Sequence, residues 1–197
     1  MVKQKQSLLE TYSLPTEDIE RRSFHVIKEL LPELKLSTQE MQVVTRIVHT
    51  SGEPEMARLM LFHHQAIEIA IKTLREGKDI FTDVRMVAAG IKPKLTSSLG
   101  CRVYCALDMA VENENKSGAI TRTARAMQNL GHGLDGSLVA IGNAPTALLS
   151  LLDMIDGGKA SPAIIIGMPV GFVAASEAKM ELAKRDTPFI TIQGTRG

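Results

Sequence analysis

The chain of 197 residues is poor in cysteine and has almost no net charge. Its two cysteines, Cys101 and Cys105, stand four residues apart in an apolar run, and neither a CxxC pairing nor a histidine cluster accompanies them. This pattern does not favour a disulfide framework or a zinc site, so we expect buried, reduced thiols in a reducing compartment. The formal net charge of +1 provides no field that would attract nucleic acid or a membrane surface. We therefore expect neither as a partner.

Long apolar segments are missing as well. The longest run, "PAIIIGMPVGFVAA", is too short to span a bilayer and is interrupted by glycine and proline. The first ten residues, "MVKQKQSLLE", hold no apolar stretch that would serve as a signal peptide. These two observations predict a soluble protein of the cytoplasm.

Sequence motifs for cofactors are equally scarce. No group of histidine, cysteine and carboxylate residues has the spacing of a metal site. No glycine-containing segment fits GxGxxG or GxxxxGK[ST] at the proper spacing, which argues against a nucleotide-binding enzyme. We predict that the protein itself requires no metal ion and no organic cofactor.

The composition does provide for a hydrophobic core. Hydrophobic residues make up 44% of the chain and charged residues 23%, which is typical of a globular protein. A chain of this length suits one domain, and no repeat, low-complexity segment or linker divides it. We therefore predict a single domain over residues 1–197, with residues 1–14 as a flexible N-terminal extension.

A first helix is predicted to begin at Pro15, because proline suits the first helical position. Ile19, Val26 and Leu30 follow at helical spacing and form one apolar stripe. Ser23 falls inside that stripe rather than on the polar face. Its hydroxyl has two interpretations, contact with a ligand or a hydrogen bond back to a carbonyl of its own helix.

A second helix is predicted from the segment "STQE", in which Ser37 and Glu40 form a capping box. The apolar stripe of this helix comprises Met41, Val44, Ile47 and Val48. At about 100° per residue, Arg46 and His49 point away from the stripe and lie near each other. They face either solvent or a cleft, just before the chain breaks at "SG".

The second half of the sequence changes to short β-rich runs, separated by helical segments or turns. The runs are "DIFTD", "CRVYCAL", "SLVAIG", "PAIIIG" and "PFITIQG". Strands that alternate with helices indicate a mostly parallel sheet covered on both faces. The predicted fold is therefore a three-layer α/β/α architecture with about five strands, preceded by N-terminal helices.

Three of these strands end in glycine and a polar or proline-containing turn: "IGNAPTA", "IGMPVGF" and "IQGTRG". In parallel sheets the ligand lies beyond the carboxyl ends of the strands, where glycine allows close approach to the main chain. From this position we expect substrate contacts at Gly142, Asn143, Gly167 and Gly171. The alternative is that these residues only form tight strand-to-helix turns.

Several of these segments resemble one family, the precorrin-8X and cobalt-precorrin-8 methylmutases (precorrin isomerases). The resemblance is carried by "GSLVAIGNAPTALLSLLDMI", "PAIIIGMPVGFVAASEAK" and "PFITIQGTRG", and upstream by "RRSF", "RIVHTSG", "DVRMVAAGI" and "ITRTARAM". It thus runs from about Arg22 to the end of the chain. One departure is Ala89, because members often carry a histidine before the glycine of the "MVxxG" turn.

The resemblance implies a three-layer α/β homodimer that catalyses an isomerisation without a cofactor. A methyl group would migrate between adjacent carbons of ring C, giving hydrogenobyrinate or cobyrinate in cobalamin biosynthesis. The histidine of the "RxxH" helix end, here His49, would be the proton donor and acceptor. Ser23, Arg46 and Arg122 match family positions that contact the substrate.

The implied substrate is a large tetrapyrrole with several carboxylates. Such a ligand needs an apolar slot for its ring and cationic groups for its carboxylates. Protonation makes the ring electron-poor and favours migration of the methyl group, and histidine is the side chain that titrates near neutrality. The alternative function is a tetrapyrrole-binding carrier without turnover, which would have no need of a positioned acid.

Overall fold

The computed structural model describes residues 7–13, 15–109 and 120–197. These residues form two compact units, one up to Arg58 and one from Leu59 onward. The single domain expected over residues 1–197 stays a prediction. Within the expected N-terminal extension, Leu8–Tyr12 form a short helix, α1, whereas residues 1–6 and 14 lie outside the described part of the chain.

The first unit contains the two predicted amphipathic helices. Helix α2 is Thr16–Leu30 and begins directly after Pro15, one residue later than the sequence predicts. Helix α3 is Thr38–Ser51, and the capping box at its start is confirmed. The Ser37 hydroxyl accepts a hydrogen bond from the Glu40 amide at 3.3 Å, and the Glu40 carboxylate accepts one from the Ser37 amide at 2.7 Å.

Helix α3 ends in a left-handed glycine. Gly52 has φ of 71°, and its amide donates to the carbonyl of Val48 at 2.8 Å. Only glycine adopts this conformation without strain, so the chain turns there and His49 stays in the last helical turn. Val44 and Val48 are buried, while Arg46 and His49 are exposed, as the helical periodicity predicts. A short helix, α4 (Met56–Leu59), follows.

The second unit is built on a six-stranded sheet in the order β1-β6-β5-β4-β2-β3. The strands are β1 (Met60–Phe62), β2 (Ile80–Thr82), β3 (Val103–Cys105), β4 (Leu138–Ile141), β5 (Ile164–Gly167) and β6 (Phe189–Ile192). All neighbours are parallel except β1 and β6, which pair antiparallel with Met60 opposite Ile192. The mostly parallel α/β fold is therefore confirmed, with five predicted strands and one additional strand.

Seven helices of the described residues accompany the sheet. They are α5 (Ala66–Arg75), α6 (Arg85–Gly90), α7 (Pro93–Ser98), α8 (Ala106–Met109), α9 (Arg122–Leu130), α10 (Pro145–Asp156) and α11 (Ala175–Ala183). Helix α10 packs against α9, α11 and β4, and most of its apolar side chains are fully buried. Helix α5 packs against β4 and β5. The core therefore consists of strand and helix side chains with helices packed on the sheet.

The strand order reverses between β2 and β4. From β2 the chain moves outward to β3, and it then returns to the other side of β2 to form β4. In open α/β sheets such a reversal opens a crevice at the carboxyl ends of the two strands. Asp83 directly follows β2 and Gly142 directly follows β4, so both lie at this crevice.

Both cysteines are free and buried, as predicted. Burial raises the pKa of the Cys101 thiol, because the thiolate would lose its hydration. No helix of the described residues is long and apolar enough to cross a bilayer.

Candidate active site

The side chain of His49 lies at the edge of an open groove in the first unit. The groove has a volume of about 420 Å³, and helices α2 and α3 with the turn after α3 form its walls. Its apolar wall consists of Ile19, Val26, Ile27, Leu30, Val48 and Pro54. Its polar lining consists of Arg22, Ser23 and His49. The groove therefore combines an apolar surface with a titratable group and a cation, which suits an apolar ligand that carries negative charge.

Apolar side chains of α2 stay accessible along this groove. Ile19 is 48% exposed, Val26 44% and Leu30 58%, although the three form one stripe of the helix. A solvated apolar stripe of this kind indicates a surface that receives a ligand or a partner. The stripe predicted from the sequence is thus present, and all three of its residues line the groove.

Ser23 lies between these apolar side chains and lines the groove next to Arg22. Its side chain is half-buried. No hydrogen bond of the Ser23 hydroxyl is formed with any other described residue, so the back-bonding interpretation finds no support here. The hydroxyl is available to a ligand, and the role of Ser23 in substrate binding stays a prediction.

Arg46 reaches His49 through an intermediate ring rather than directly. Its guanidinium lies 4.6 Å from the centroid of the Phe24 ring, and the Phe24 ring meets the imidazole of His49 edge-on at 5.2 Å. The same guanidinium forms an ion pair with Glu20, with Nη1 and Oε1 2.5 Å apart. Arg46 does not line the groove, and its contact with the substrate stays a prediction.

The crevice at the carboxyl ends of β2 and β4 is occupied by a buried carboxylate. Asp83 is fully buried and accepts hydrogen bonds from three successive backbone amides. Oδ1 accepts from Gly142 at 3.2 Å, and Oδ2 accepts from Asn143 at 2.9 Å and from Ala144 at 2.7 Å. Substrate contacts are expected from the sequence at Gly142 and Asn143, but the backbone amides of both residues already donate to Asp83. Only the exposed Asn143 side chain and the carbonyl groups of the turn remain for a ligand.

Arg122 lies beside this turn. It is the first residue of α9, and the preceding residue, Thr121, caps the helix by accepting from the Ala124 amide at 3.2 Å. The Thr121 hydroxyl also forms a 2.7 Å hydrogen bond with the hydroxyl of Thr146, in the first turn of α10. The structure therefore brings Arg122 to the same edge of the sheet as Gly142 and Asn143. Arg122 is exposed, and its contact with a substrate stays a prediction.

Gly167, at the end of β5, and Gly171, in the loop that follows, differ in their surroundings. Gly167 is buried, and a Cβ atom there would come within 2.5 Å of Leu182, so this residue allows α11 to pack closely on β5. Gly171 has φ of 146°, in a region that glycine favours. It lies in the loop before α11, where Phe172 is 93% exposed. Packing thus explains Gly167, while Gly171 remains a candidate for ligand contact.

Three residues in or beside the groove and the crevice at the ends of β2 and β4 were not identified from the sequence: Asp83, Phe24 and Arg22. Asp83 had a detectable signal, since it follows a buried strand of a parallel sheet directly. Phe24 and Arg22 lie within the "RRSF" segment, yet nothing in the helical pattern distinguishes them from other surface residues. The described residues contain no group of three or more histidine, cysteine or acidic side chains that could hold a metal ion.

Comparison with known proteins gives the same family throughout. The precorrin-8X methylmutase family matches residues 18–197. The cobalt-precorrin-8 methylmutase of Priestia megaterium is 42% identical over 183 residues, which cover 92% of this chain and 81% of that protein. The precorrin-8X methylmutase of a Sinorhizobium species is 37% identical over 187 residues, covering 91% and 86%. A precorrin-8X methyl mutase from Thermus thermophilus matches with a TM-score of 0.83 and 34% identity, covering 92% of this chain and 88% of that one.

The mostly parallel α/β fold and these relatives define a methylmutase, an isomerase of cobalamin biosynthesis. The chain belongs to the precorrin-8X methylmutase family. The carrier alternative is not favoured, because the relatives of this chain are named as methylmutases.

Proposed function

We propose that the substrate is precorrin-8X or its cobalt-containing counterpart, and that the enzyme moves a methyl group between adjacent carbons of ring C. The names of relatives of both kinds support this substrate class. The groove beside His49 also supports it, because an apolar wall with a cation and a histidine suits a macrocycle that carries carboxylates. The reaction is an isomerisation, so one carbon–carbon bond breaks, one forms, and the atoms of substrate and product are the same.

We propose that His49 is the proton donor and acceptor. The observation that carries this role is an exposed imidazole in the lining of an apolar groove, with its ring held edge-on by Phe24. Donation of a proton to the macrocycle withdraws electron density from the ring and favours migration of the methyl group. The ring returns the proton to the imidazole after migration, so the enzyme is unchanged. Histidine suits this step because its side chain changes protonation near neutral pH.

The test is replacement of His49 by Asn in a single-turnover assay. The imidazole is exposed and lies off the buried stripe of α3, so the variant should fold normally. Turnover should fall by ~10²- to 10⁴-fold, the usual share of a positioned proton donor. The variant should still bind the substrate, so unconverted substrate should accumulate on the protein. The appearance of the corrin absorption bands measures conversion, with both the metal-free and the cobalt-containing macrocycle.

His25→Asn is the matched control. His25 lies on the same pair of helices, is exposed, and pairs with Glu29 outside the groove. It should convert substrate at the wild-type rate. Conversion by His49→Asn at the wild-type rate would rule out the proposed acid. Binding without conversion by the wild-type protein would instead support the carrier.

We also propose that the enzyme is a homodimer that acts in the cytoplasm. The family resemblance supports the dimer, and the free thiols of Cys101 and Cys105 suit a reducing compartment. Light scattering of the purified protein should give twice the mass of one chain, and fractionation of the cells should recover it with the cytoplasm. A mass of one chain at working concentration would contradict the dimer.

A further inference from the structure

Arg46 of helix α3 lies against two residues of helix α2. Its guanidinium pairs with the Glu20 carboxylate, with Nη1 and Oε1 2.5 Å apart, and it covers the Phe24 ring at 4.6 Å from the centroid. Glu20 and Phe24 are four residues apart, so they are neighbours on one face of α2. The Phe24 ring in turn contacts the imidazole of His49 edge-on. Arg46 is therefore a cation that lies one aromatic ring away from the proposed proton donor.

The ion pair between Arg46 and Glu20 is open to solvent. The side chain of Arg46 is 60% exposed and that of Glu20 is 54% exposed. Water solvates both partners of such a pair, so the pair is only slightly more stable than the separated charges. A carboxylate of a ligand can therefore replace the Glu20 carboxylate at little cost. The contact between the guanidinium and the Phe24 ring does not depend on which carboxylate is bound.

We propose that Glu20 occupies Arg46 in the free enzyme and that a carboxylate of the substrate displaces it. This inference rests on the proposed function, in which a macrocycle with several carboxylates binds beside His49. Arg46 then binds the substrate, and Glu20 is an internal competitor for the same guanidinium. Because one carboxylate replaces another, the charge of Arg46 stays neutralised and its guanidinium stays over Phe24. The orientation that Phe24 gives to the imidazole is thereby kept while substrate binds and product leaves.

The first experiment measures binding of hydrogenobyrinate, the metal-free product, by absorption titration. Glu20→Gln should tighten binding about two- to fivefold, because an exposed ion pair that competes with the ligand has been removed. A gain in affinity distinguishes competition from a structural role. If Glu20 only positioned Arg46 for the ligand, its replacement would weaken binding. An unchanged or weaker affinity of Glu20→Gln would overturn the proposal.

Asp18→Asn is the matched control for the loss of a negative charge. Asp18 lies two residues before Glu20 on α2 and pairs with Arg21. Its replacement removes the same charge from the same helix but leaves the pair of Glu20 and Arg46 in place, so affinity should stay at the wild-type value. Equal tightening by Asp18→Asn would assign the effect to the net charge of α2 and would contradict an exchange at Arg46.

A double replacement tests whether Glu20 acts through Arg46. Arg46→Gln alone should weaken binding of hydrogenobyrinate, because a charge-assisted contact is lost. Adding Glu20→Gln to Arg46→Gln should then give much less tightening than Glu20→Gln gives in the wild-type background, since the guanidinium for which Glu20 competes is gone. An equal gain in both backgrounds would contradict the proposal.

A second ligand identifies the group that replaces Glu20. Hydrogenobyrinate whose side-chain carboxylates have been converted to amides has no carboxylate to exchange. Glu20→Gln should leave the affinity for this amide unchanged while it raises the affinity for the acid. An equal gain for both ligands would contradict the exchange of one carboxylate for another.

The outcome for the wild-type protein distinguishes this inference from the proposed function. Failure of the wild-type protein to convert either macrocycle would reject the proposed substrate and reaction. Normal conversion by the wild-type protein, with unchanged affinity in Glu20→Gln, would reject only the role of Glu20.

Discussion

His49, Phe24 and Arg46 form a chain of contacts in which each side chain restricts the next. An exposed histidine at a helix end has several accessible rotamers, and fixing one of them costs conformational entropy. The edge contact with Phe24 limits the orientation of the imidazole, and the guanidinium of Arg46 covers the face of the same Phe24 ring. The imidazole is therefore partly oriented before substrate binds, which a proton donor requires.

Arg122, at the edge of the sheet, provides a further test of substrate binding. Replacement of Arg122 by Ala should weaken binding by roughly 1.5–3 kcal/mol, because a charge-assisted contact is lost in ground and transition states alike. KM should rise while kcat stays close to the wild-type value. Steady-state kinetics with the macrocyclic substrate measures both constants.

Arg75→Ala is the control for Arg122. Arg75 is an exposed residue near the end of α5, before the amino end of β2, so it lies at the opposite ends of the strands. Its replacement removes the same charge and should change neither constant. Wild-type kinetics in Arg122→Ala would exclude Arg122 from the substrate site.

The turn that connects β4 to α10 is held by a residue that is distant in the sequence. Pro145 is the first residue of α10, and the amides of Gly142, Asn143 and Ala144 lie in the turn directly before the helix. Such amides attract an anion, and Asp83 supplies it from the end of β2. This contact ties two neighbouring strands together at the reversal of the strand order.

Replacement of Asp83 by Asn should therefore destabilise the fold. An asparagine side chain has one acceptor oxygen where aspartate has two. Its NH2 group would face the backbone amides, which are also donors. The free energy of unfolding should fall by about 1.5–3 kcal/mol, the usual cost for buried hydrogen bonds to a charged group. Urea denaturation followed by circular dichroism measures this change.

Asp108→Asn is the corresponding control for an acidic residue at the protein surface. Asp108 pairs with Arg85, and both side chains are largely exposed, so the change in stability should stay below about 1 kcal/mol. Equal stability of Asp83→Asn and the wild type would show that the three amide contacts contribute nothing net.

The stability of the whole chain should depend on pH through one buried lysine. Lys179 is only 2% exposed, and its ammonium donates to the carbonyl of Arg196. Burial lowers the pKa of Lys179, because the charged form loses its hydration. The unfolded chain keeps the usual pKa of about 10.4. Between these two pKa values the unfolded state binds more protons, so the contribution of Lys179 to stability rises with pH and is lost as pH falls.

Lys179→Met isolates this contribution. Methionine has a similar length and no charge, so near neutral pH the variant avoids the cost of burying the ammonium. Its stability relative to the wild type should be highest there and should decrease as pH approaches about 10. Urea denaturation of both proteins over that range gives the difference, in which the other titrating groups cancel. A difference that does not change with pH would contradict a lowered pKa of Lys179.

Much of the fold follows from local patterns in the sequence. Ser37 and Glu40 define the start of α3 because a capping box involves residues only three apart. Pro15 and Gly52 mark a helix start and a helix end through their own backbone preferences. The parallel strands are recognisable because a strand buried on both faces is apolar throughout. Strand β1 was not predicted, because its order depends on pairing with β6, which lies far along the chain.

The candidate site was only partly predictable for the same reason. Helical periodicity places His49 and Arg46 off the buried stripe of α3, and the family resemblance assigns the histidine its role. The sequence does not show that Arg46 pairs with Glu20, a residue 26 positions earlier, or that Asp83 binds amides about 60 positions later. Local propensity follows from neighbouring residues and can be read along the chain. Contacts between distant residues depend on how the helices and strands pack, and they exist only in the folded protein.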